Sequence, residues 1–400
     1  MPSRHRLFLL AGALLYAAIA IEVGIRRGGD LEVHFAPARL WLEGVPLYAQ
    51  APRLGAWWPP PAVLLVLPFA LLAQLSAAAA KGAWAAGSLA CLGWSIARLP
   101  RSGWTPVVLA LAAVAIPLNR NFEDLNLNAV LLALLVAAAL ELGRGREGRA
   151  GAWIGAAAAL KVFPAFWLLY LAYRRRWRGL AIGIAVAAGL SLAPLLRYGV
   201  QGAFVAGRHW MASNAVAAWG QLGSNQSLAA LAARLHLAGA GVAALDLACV
   251  VLGIMALRRR HVVDPAFEEL GVVGLIAVLL SPIAWVHYFL FALPVWIVAV
   301  RLPRHGRAPA WSIALVLAGV ATSGIATVWS IPVRNALFDL SLYTWGALLL
   351  LLVVALAPRP VTAPAARGAV SGSEEAATRA EAVLRHDAIG GAPPVAPSTG

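Results

Sequence analysis

Between the first apolar run and the next, the chain carries residue types that do chemistry: Gly28-Gly29-Asp30, then Tyr48, then Trp57-Trp58-Pro59-Pro60-Pro61. A carboxylate beside two glycines at the end of an apolar helix can turn into a cavity and take a proton from a hydroxyl, the work of a general base. An acid at a helix end can also be merely solvated. The aromatic residues and the rigid proline turn nearby favour the chemical reading, because a positioned loop is where binding groups collect. Tyr48, Trp57 and Trp58 are candidates for holding an acceptor or stacking on a sugar ring.

Further polar groups interrupt the apolar sequence. Lys161 lies within an apolar stretch, where an ammonium near the bilayer centre costs about 2.5 to 3.5 kcal/mol unless it faces a cavity and a partner. A lipid phosphate is one such partner, and snorkelling of the stem to the interface is the competing reading. The cluster from Asn119 to Asn126 offers Arg120 for a phosphate and amides such as Asn126 for hydroxyls; it also reads as a solvated turn capping the next helix. His287, after Ser281-Pro282, can bind phosphate or move a proton, or bond a backbone carbonyl. Asn225-Gln226-Ser227 adds two amides, in a pattern that equally starts a helix. HExxH, Walker, GxGxxG and Cys/His metal patterns are all missing from the sequence, so no metal site and no cofactor is expected.

The elements that must position these groups are apolar helices. Hydrophobic residues make up 61% of the 400 residues and charged ones 12%, against about 25% charged in soluble domains. The formal net charge of +15 resides in short arginine loops, at Arg4 and Arg6, Arg98 and Arg101, Arg144 to Arg149, Arg174 to Arg178, Arg258 to Arg260, and Arg301 to Arg307. Such loops mark the cytoplasmic side of a membrane protein, and this pattern excludes nucleic acid as the partner the charge serves. Cys91 and Cys249 lie inside apolar runs and give no disulfide framework.

An all-α, polytopic bundle with about 11 to 13 membrane segments is expected. The run from Leu7 to Ile25 is a retained anchor that places Asp30 outside, with a short interfacial helix in the loop that follows. Pieces 61–75, 79–97, 104–118, 127–142, 180–195, 239–257, 270–280, 288–300, 311–329 and 340–357 alternate with polar corners. Segment 151–173, between two arginine clusters, is either a hairpin of two short helices with Lys161 near its external tip or one span with a misplaced cluster. Residues 1–357 form the membrane domain, and 358–400 form a cytoplasmic tail too poor in large apolar residues to fold.

Taken in order, these residues resemble glycosyltransferase family 87. The resemblance runs through Asp30, Gly44-Val45-Pro46-Leu47-Tyr48, Trp58-Pro59-Pro60, Asn126, Ala159-Leu160-Lys161-Val162-Phe163-Pro164, Ser224-Asn225-Gln226-Ser227-Leu228, and Leu280-Ser281-Pro282 with Trp285 and His287. The family usually shows Gly-Gln where Glu123-Asp124 stand, and Tyr where Trp58 stands. The resemblance implies a GT-C fold and an enzyme that moves a sugar, mannose in the first instance, from a polyprenyl phosphate to a glycolipid or glycan acceptor at the extracytoplasmic face of the cell membrane, with inversion. It further implies Asp30 as base. Lys161, His287, Arg120, Asn126, Asn225 and Gln226 would then bind donor phosphate or sugar. The rival reading is a secondary transporter or lipid flippase. Such proteins place polar groups and broken helices near the midplane in repeated halves, whereas here the polar clusters gather at helix ends and no repeat is visible.

Overall fold

The computed structural model describes residues 3–48, 58–99, 103–214, 223–258, 265–302 and 309–357. The expectations for Trp57 and for the tail 358–400 lie outside them. Among the described residues the secondary structure is entirely helix and turn. In chain order the helices are α1 Ser3–Arg26, α2 Gly29–Glu43, α3 Pro60–Leu75, α4 Ala77–Arg98, α5 Thr105–Ala112, α6 Ala115–Glu123, α7 Asn128–Gly143, α8 Glu147–Leu160 and α9 Phe166–Tyr173. They continue as α10 Trp177–Ser191, α11 Ala193–Asn214, α12 Leu228–Arg234, α13 Ala240–Arg258, α14 Pro265–Leu280, α15 Ala292–Arg301, α16 Pro309–Ser323, α17 Ile331–Asp339 and α18 Leu342–Leu356.

The core is built round α7 and α14, which carry apolar residues on every face. Phe267, Leu270, Leu275, Ala277, Val278 and Leu279 of α14 are buried, as are Leu131, Leu132, Leu135 and Val136 of α7. At the periphery, α13 and α16 are just as apolar yet expose Leu247, Val251, Ile313, Val316, Leu317 and Val320. Apolar faces of that extent are stable against lipid rather than water.

Two helical stretches, Ala240–Arg258 and Ala310–Val328, are long and apolar enough to cross a bilayer, and there are up to five spans if each bent pair counts as one. Helix length therefore does not establish the larger number of segments expected from the sequence. The reason is geometric: a helix such as α7, with 16 residues, rises only about 24 Å, short of a ~30 Å hydrocarbon core. Runs read as single spans are also broken. Residues 105–123 bend by 66° between α5 and α6, and residues 177–212 bend by 65° between α10 and α11. The corner expected at 119–126 is thus helical as far as Glu123, and the polar stretch expected from Arg197 begins inside α11. Between the last two apolar runs the chain forms α17, set at 53° to α18.

The open question at 151–173 is decided by glycine contacts. A Cβ on Gly151 would lie 2.0 Å from the Gly179 carbonyl oxygen, and one on Gly155 2.2 Å from that of Gly183. Since 151 faces 179 and 155 faces 183, α8 and α10 run parallel, and α9 must return between them. Arg176 bonds Glu147, which closes the circuit at the arginine end. This is the hairpin, with Lys161 at its opposite tip. Only glycine lets two helix backbones approach so closely. Glu141 with Arg144 at 2.9 Å and Glu269 with Arg174 at 3.2 Å gather at the same arginine end.

Candidate active site

The site begins at the hinge between α1 and α2. Gly28 adopts φ 48°, and a Cβ there would meet the Gly24 carbonyl oxygen at 2.6 Å, so glycine is required. The turn is fixed from outside by two hydrogen bonds to the end of α6, Gly28 N–H to the Glu123 carbonyl at 2.9 Å and Asp30 N–H to the Asp124 carbonyl at 3.1 Å. These bonds hold Asp30 in the first turn of α2, aimed at the start of α7. There Asn126 Nδ2 donates to Asp30 Oδ2 at 2.5 Å.

Asn126 also joins the carboxylate to the buried lysine. Lys161 Nζ donates to Asn126 Oδ1 and to Asn128 Oδ1, each at 3.1 Å, and stands 3.7 Å from the centre of the Tyr288 ring. The break after α8 places it there: Lys161 is extended, with φ −157° and ψ 139°, and Pro164 begins the next turn. Asn128 Nδ2 in turn donates to the His287 carbonyl at 2.8 Å. His287 Nδ1 lies 3.3 Å from Asp124 Oδ2, while its Nε2 is buried without a hydrogen-bond partner among the described residues. Asp30, Asn126, Lys161 and His287 thus form one cluster, at the ends of α7 and α8 opposite the arginine loop that joins them.

Two cavities meet at this cluster. The larger, about 640 Å³, is walled mainly by polar side chains, among them Asp30, Asp124, His287, Arg120 and Arg334. The other, about 360 Å³, is mostly apolar, with Lys161, Asn126, Phe163, Phe166, Trp210 and Tyr288 in its walls. Asp30 and Trp285 line both. Asp30 lies on α2, outside the candidate spans, and loss of water round its carboxyl raises its pKa above the ordinary carboxylate value. The charge of His287 opposes the rise and that of Asp124 adds to it, while the Asn126 hydrogen bond and the Lys161 charge oppose it. A carboxylate made more basic in this way is a better proton acceptor.

Several expected site residues have other tasks. Asn225 is fully buried; its Nδ2 donates to the Pro282 carbonyl at 3.0 Å, and its Oδ1 accepts from the Ala284 N–H at 2.9 Å and the Ser227 N–H at 3.1 Å. It pins the 282–284 corner. Gln226 Nε2 donates to the Phe338 carbonyl at 3.0 Å, and Oε1 accepts from the Tyr343 N–H at 3.3 Å. With their side chains so occupied, neither lines either cavity, and both hold neighbouring backbone in place. Tyr48 is 1% exposed and donates its hydroxyl to the Trp58 carbonyl at 2.6 Å, which leaves no ring face for a sugar. Trp58 lines the apolar cavity, but its ring stacks on His34 at 4.2 Å and lies nearly parallel to Trp84. Arg120 lines the polar cavity, paired with Glu123 at 2.6 Å, rather than the cavity that holds Lys161.

Asn128, Tyr288, His34 and Arg334 join the site beyond the residues to which the sequence points, and Asp124 joins it as a member of the cluster at 119–126. Asp124 and Asn128 flank Asn126, so their spacing was a signal. Arg334 has none, because it lies between the apolar runs 311–329 and 340–357, in a stretch with no chemical pattern. His34 fixes the base from behind: Nδ1–H donates to the Asp30 carbonyl at 2.6 Å and Nε2 accepts from the Trp58 N–H at 3.1 Å.

The chain is a helical protein with extensive apolar faces whose Asp30 carboxylate lines two cavities, one walled mainly by polar side chains and the other mostly apolar. The chain belongs to glycosyltransferase family 87, whose family model matches residues 57–282. The matched segment contains Trp58, Asn126, Lys161 and Asn225, while Asp30 precedes it and His287 follows it. The chain is 30% identical over 352 residues to a polyprenol-phosphate-mannose-dependent alpha-(1-2)-phosphatidylinositol mannoside mannosyltransferase of Mycolicibacterium smegmatis, covering 75% of each chain. A protein of the same description from Mycobacterium tuberculosis is 27% identical over 393 residues, 88% of this chain and 90% of the relative. A pentamannoside mannosyltransferase of M. smegmatis is 29% identical over 244 residues, 57% of each. No solved structure matches the chain. The protein is a membrane glycosyltransferase, and the transporter and flippase reading gives way to that of an enzyme.

Proposed function

We propose that this enzyme transfers mannose from a polyprenyl-phosphate donor to a glycolipid acceptor at the extracytoplasmic face of the cell membrane. One observation carries the reading: Asp30 lines both the apolar cavity that holds Lys161 and the polar cavity. The printed descriptions of the relatives, with a polyprenol-phosphate-mannose donor and phosphatidylinositol mannoside acceptors, support it. The isoprenoid phosphate enters from the apolar side and the acceptor hydroxyl from the polar side. Asp30 takes the proton from that hydroxyl, whose oxygen attacks the anomeric carbon from the face opposite the phosphate, and the bond to the phosphate oxygen breaks with inversion. Polyprenyl phosphate leaves already ionised and needs no acid. Lys161 stabilises the charge that grows on it, while Asn126 holds base and ammonium at fixed spacing.

The bundle in this reading is a polytopic GT-C scaffold, of about 11 to 13 segments when the shorter apolar helices also enter the bilayer. The arginine loops and both termini face the cytoplasm, and the membrane domain ends near residue 357. The test is mannose transfer by protein reconstituted in liposomes with polyprenyl-phosphate mannose and a phosphatidylinositol mannoside. Transfer that continues undiminished in Asp30→Asn would end the assignment of the base.

A further inference from the structure

We infer that Arg334 of α17, together with Arg120 of α6, forms a subsite for the phosphodiester of an anionic glycolipid acceptor, a deepening that rests on the proposed transfer. Both arginines line the 640 Å³ polar cavity, and both also line a smaller cavity of about 240 Å³, with Phe338 in the wall of each. They stand where the two cavities adjoin. Arg334 is partly buried, and its guanidinium forms no hydrogen bond or ion pair with any described residue. Arg120 spends one nitrogen on Glu123, which also receives Arg27 at 3.3 Å. A planar fork left without a carboxylate inside a cavity matches phosphate oxygens.

The surroundings separate this subsite from the donor's. The apolar cavity with Lys161 contains neither arginine. Beyond the smaller cavity the surface turns apolar, with Ile325, Val328, Trp329 and Ile331 all exposed, a face suited to acyl chains. The larger cavity, which reaches Asp30, offers the carboxylates of Asp124 and Asp339 and the amide of Asn335 to sugar hydroxyls. An acceptor laid this way has acyl chains outside, phosphate at the arginines and its glycan reaching the base.

The experiment compares two lipids with the same chains and the same two mannoses, a phosphatidylinositol dimannoside and a neutral dimannosyl diacylglycerol. Their binding to the full-length protein in detergent is measured independently of turnover. The wild type should bind the phosphate-bearing lipid ~10-fold or more tightly, the scale of a charge-assisted hydrogen bond, and Arg334→Gln and Arg120→Gln should each reduce that preference at unchanged thermal stability. Equal binding of both lipids by the wild type, or a preference that persists in both variants, overturns the inference. Displacement of the anionic lipid by polyprenyl phosphate from the wild type but not from Arg334→Gln would assign the arginines to the donor and overturn it as well. Arginine-dependent preference without mannose transfer would sink the transfer reading and leave the subsite standing.

Discussion

Asn126 donates to Asp30 at 2.5 Å across 96 residues of chain, and the same amide accepts from Lys161. A neutral side chain therefore couples the base to the cation without letting them neutralise each other in a direct ion pair. Asp30→Asn keeps the shape and removes the basicity. Transfer should fall by about 10²- to 10⁴-fold with donor binding retained, as read by turnover and by donor-induced thermal stabilisation. In the wild type, activity should decline as pH falls through the raised pKa of Asp30, since only the ionised carboxylate accepts the proton.

Lys161→Met keeps the stem and removes three donors. Asn126 and Asn128 each lose one hydrogen bond, which costs about 1 to 3 kcal/mol when a buried acceptor is left unpaired, so thermal stability should drop modestly. The larger effect should be loss of the stabilisation conferred by polyprenyl-phosphate mannose. A variant that keeps it in full would remove Lys161 as the phosphate ligand and turn attention to His287, whose Nε2 has no hydrogen-bond partner among the described residues.

Gly155→Val tests the parallel packing of α8 and α10. A Cβ there meets the Gly183 carbonyl oxygen at 2.2 Å, and relieving backbone contact costs about 1 to 3 kcal/mol or more. Expression and detergent melting temperature should both fall, whereas Gly143→Val, with nothing within 4 Å of its Cβ, should change the melting temperature much less.

The pH dependence of stability should show His34. Burial lowers its pKa from 6.5 to about 4; the bond to the Asp30 carbonyl opposes the shift and the charge of Lys161 adds to it. The unfolded chain then binds the proton more readily than the folded one. Stability is complete above the ordinary histidine pKa and is lost as pH falls towards the lowered one. Melting temperature measured from pH 7 to pH 4 should decline in the wild type and decline less in His34→Gln.

Cysteines placed in the loops at 144–146 and 174–176, in a background lacking Cys91 and Cys249, should be labelled by an impermeant reagent only from the cytoplasmic side. Labelling of one loop from each side would contradict the hairpin and the topology built on it.

Composition alone determined the solvent: apolar runs and arginine loops leave a helical membrane protein as the physical solution, because backbone groups in lipid must bond within their own segment. Order along the chain determined the family and pointed to Asp30, Asn126, Lys161 and His287, since each polar group in an apolar context is costly and therefore conspicuous. What those groups touch was decided only by the tertiary structure. Asn225 and Gln226 look like ligands in sequence, but the corner at 282–284 and the start of α18 use up their hydrogen bonds. Tyr48 is sealed against the Trp58 backbone, and Arg334 enters the cavity because α17 bends away from α18. Bends, helix breaks and the glycine contacts between α8 and α10 depend on neighbours distant in sequence, and a one-dimensional pattern of apolar residues does not encode the direction in which a broken helix resumes.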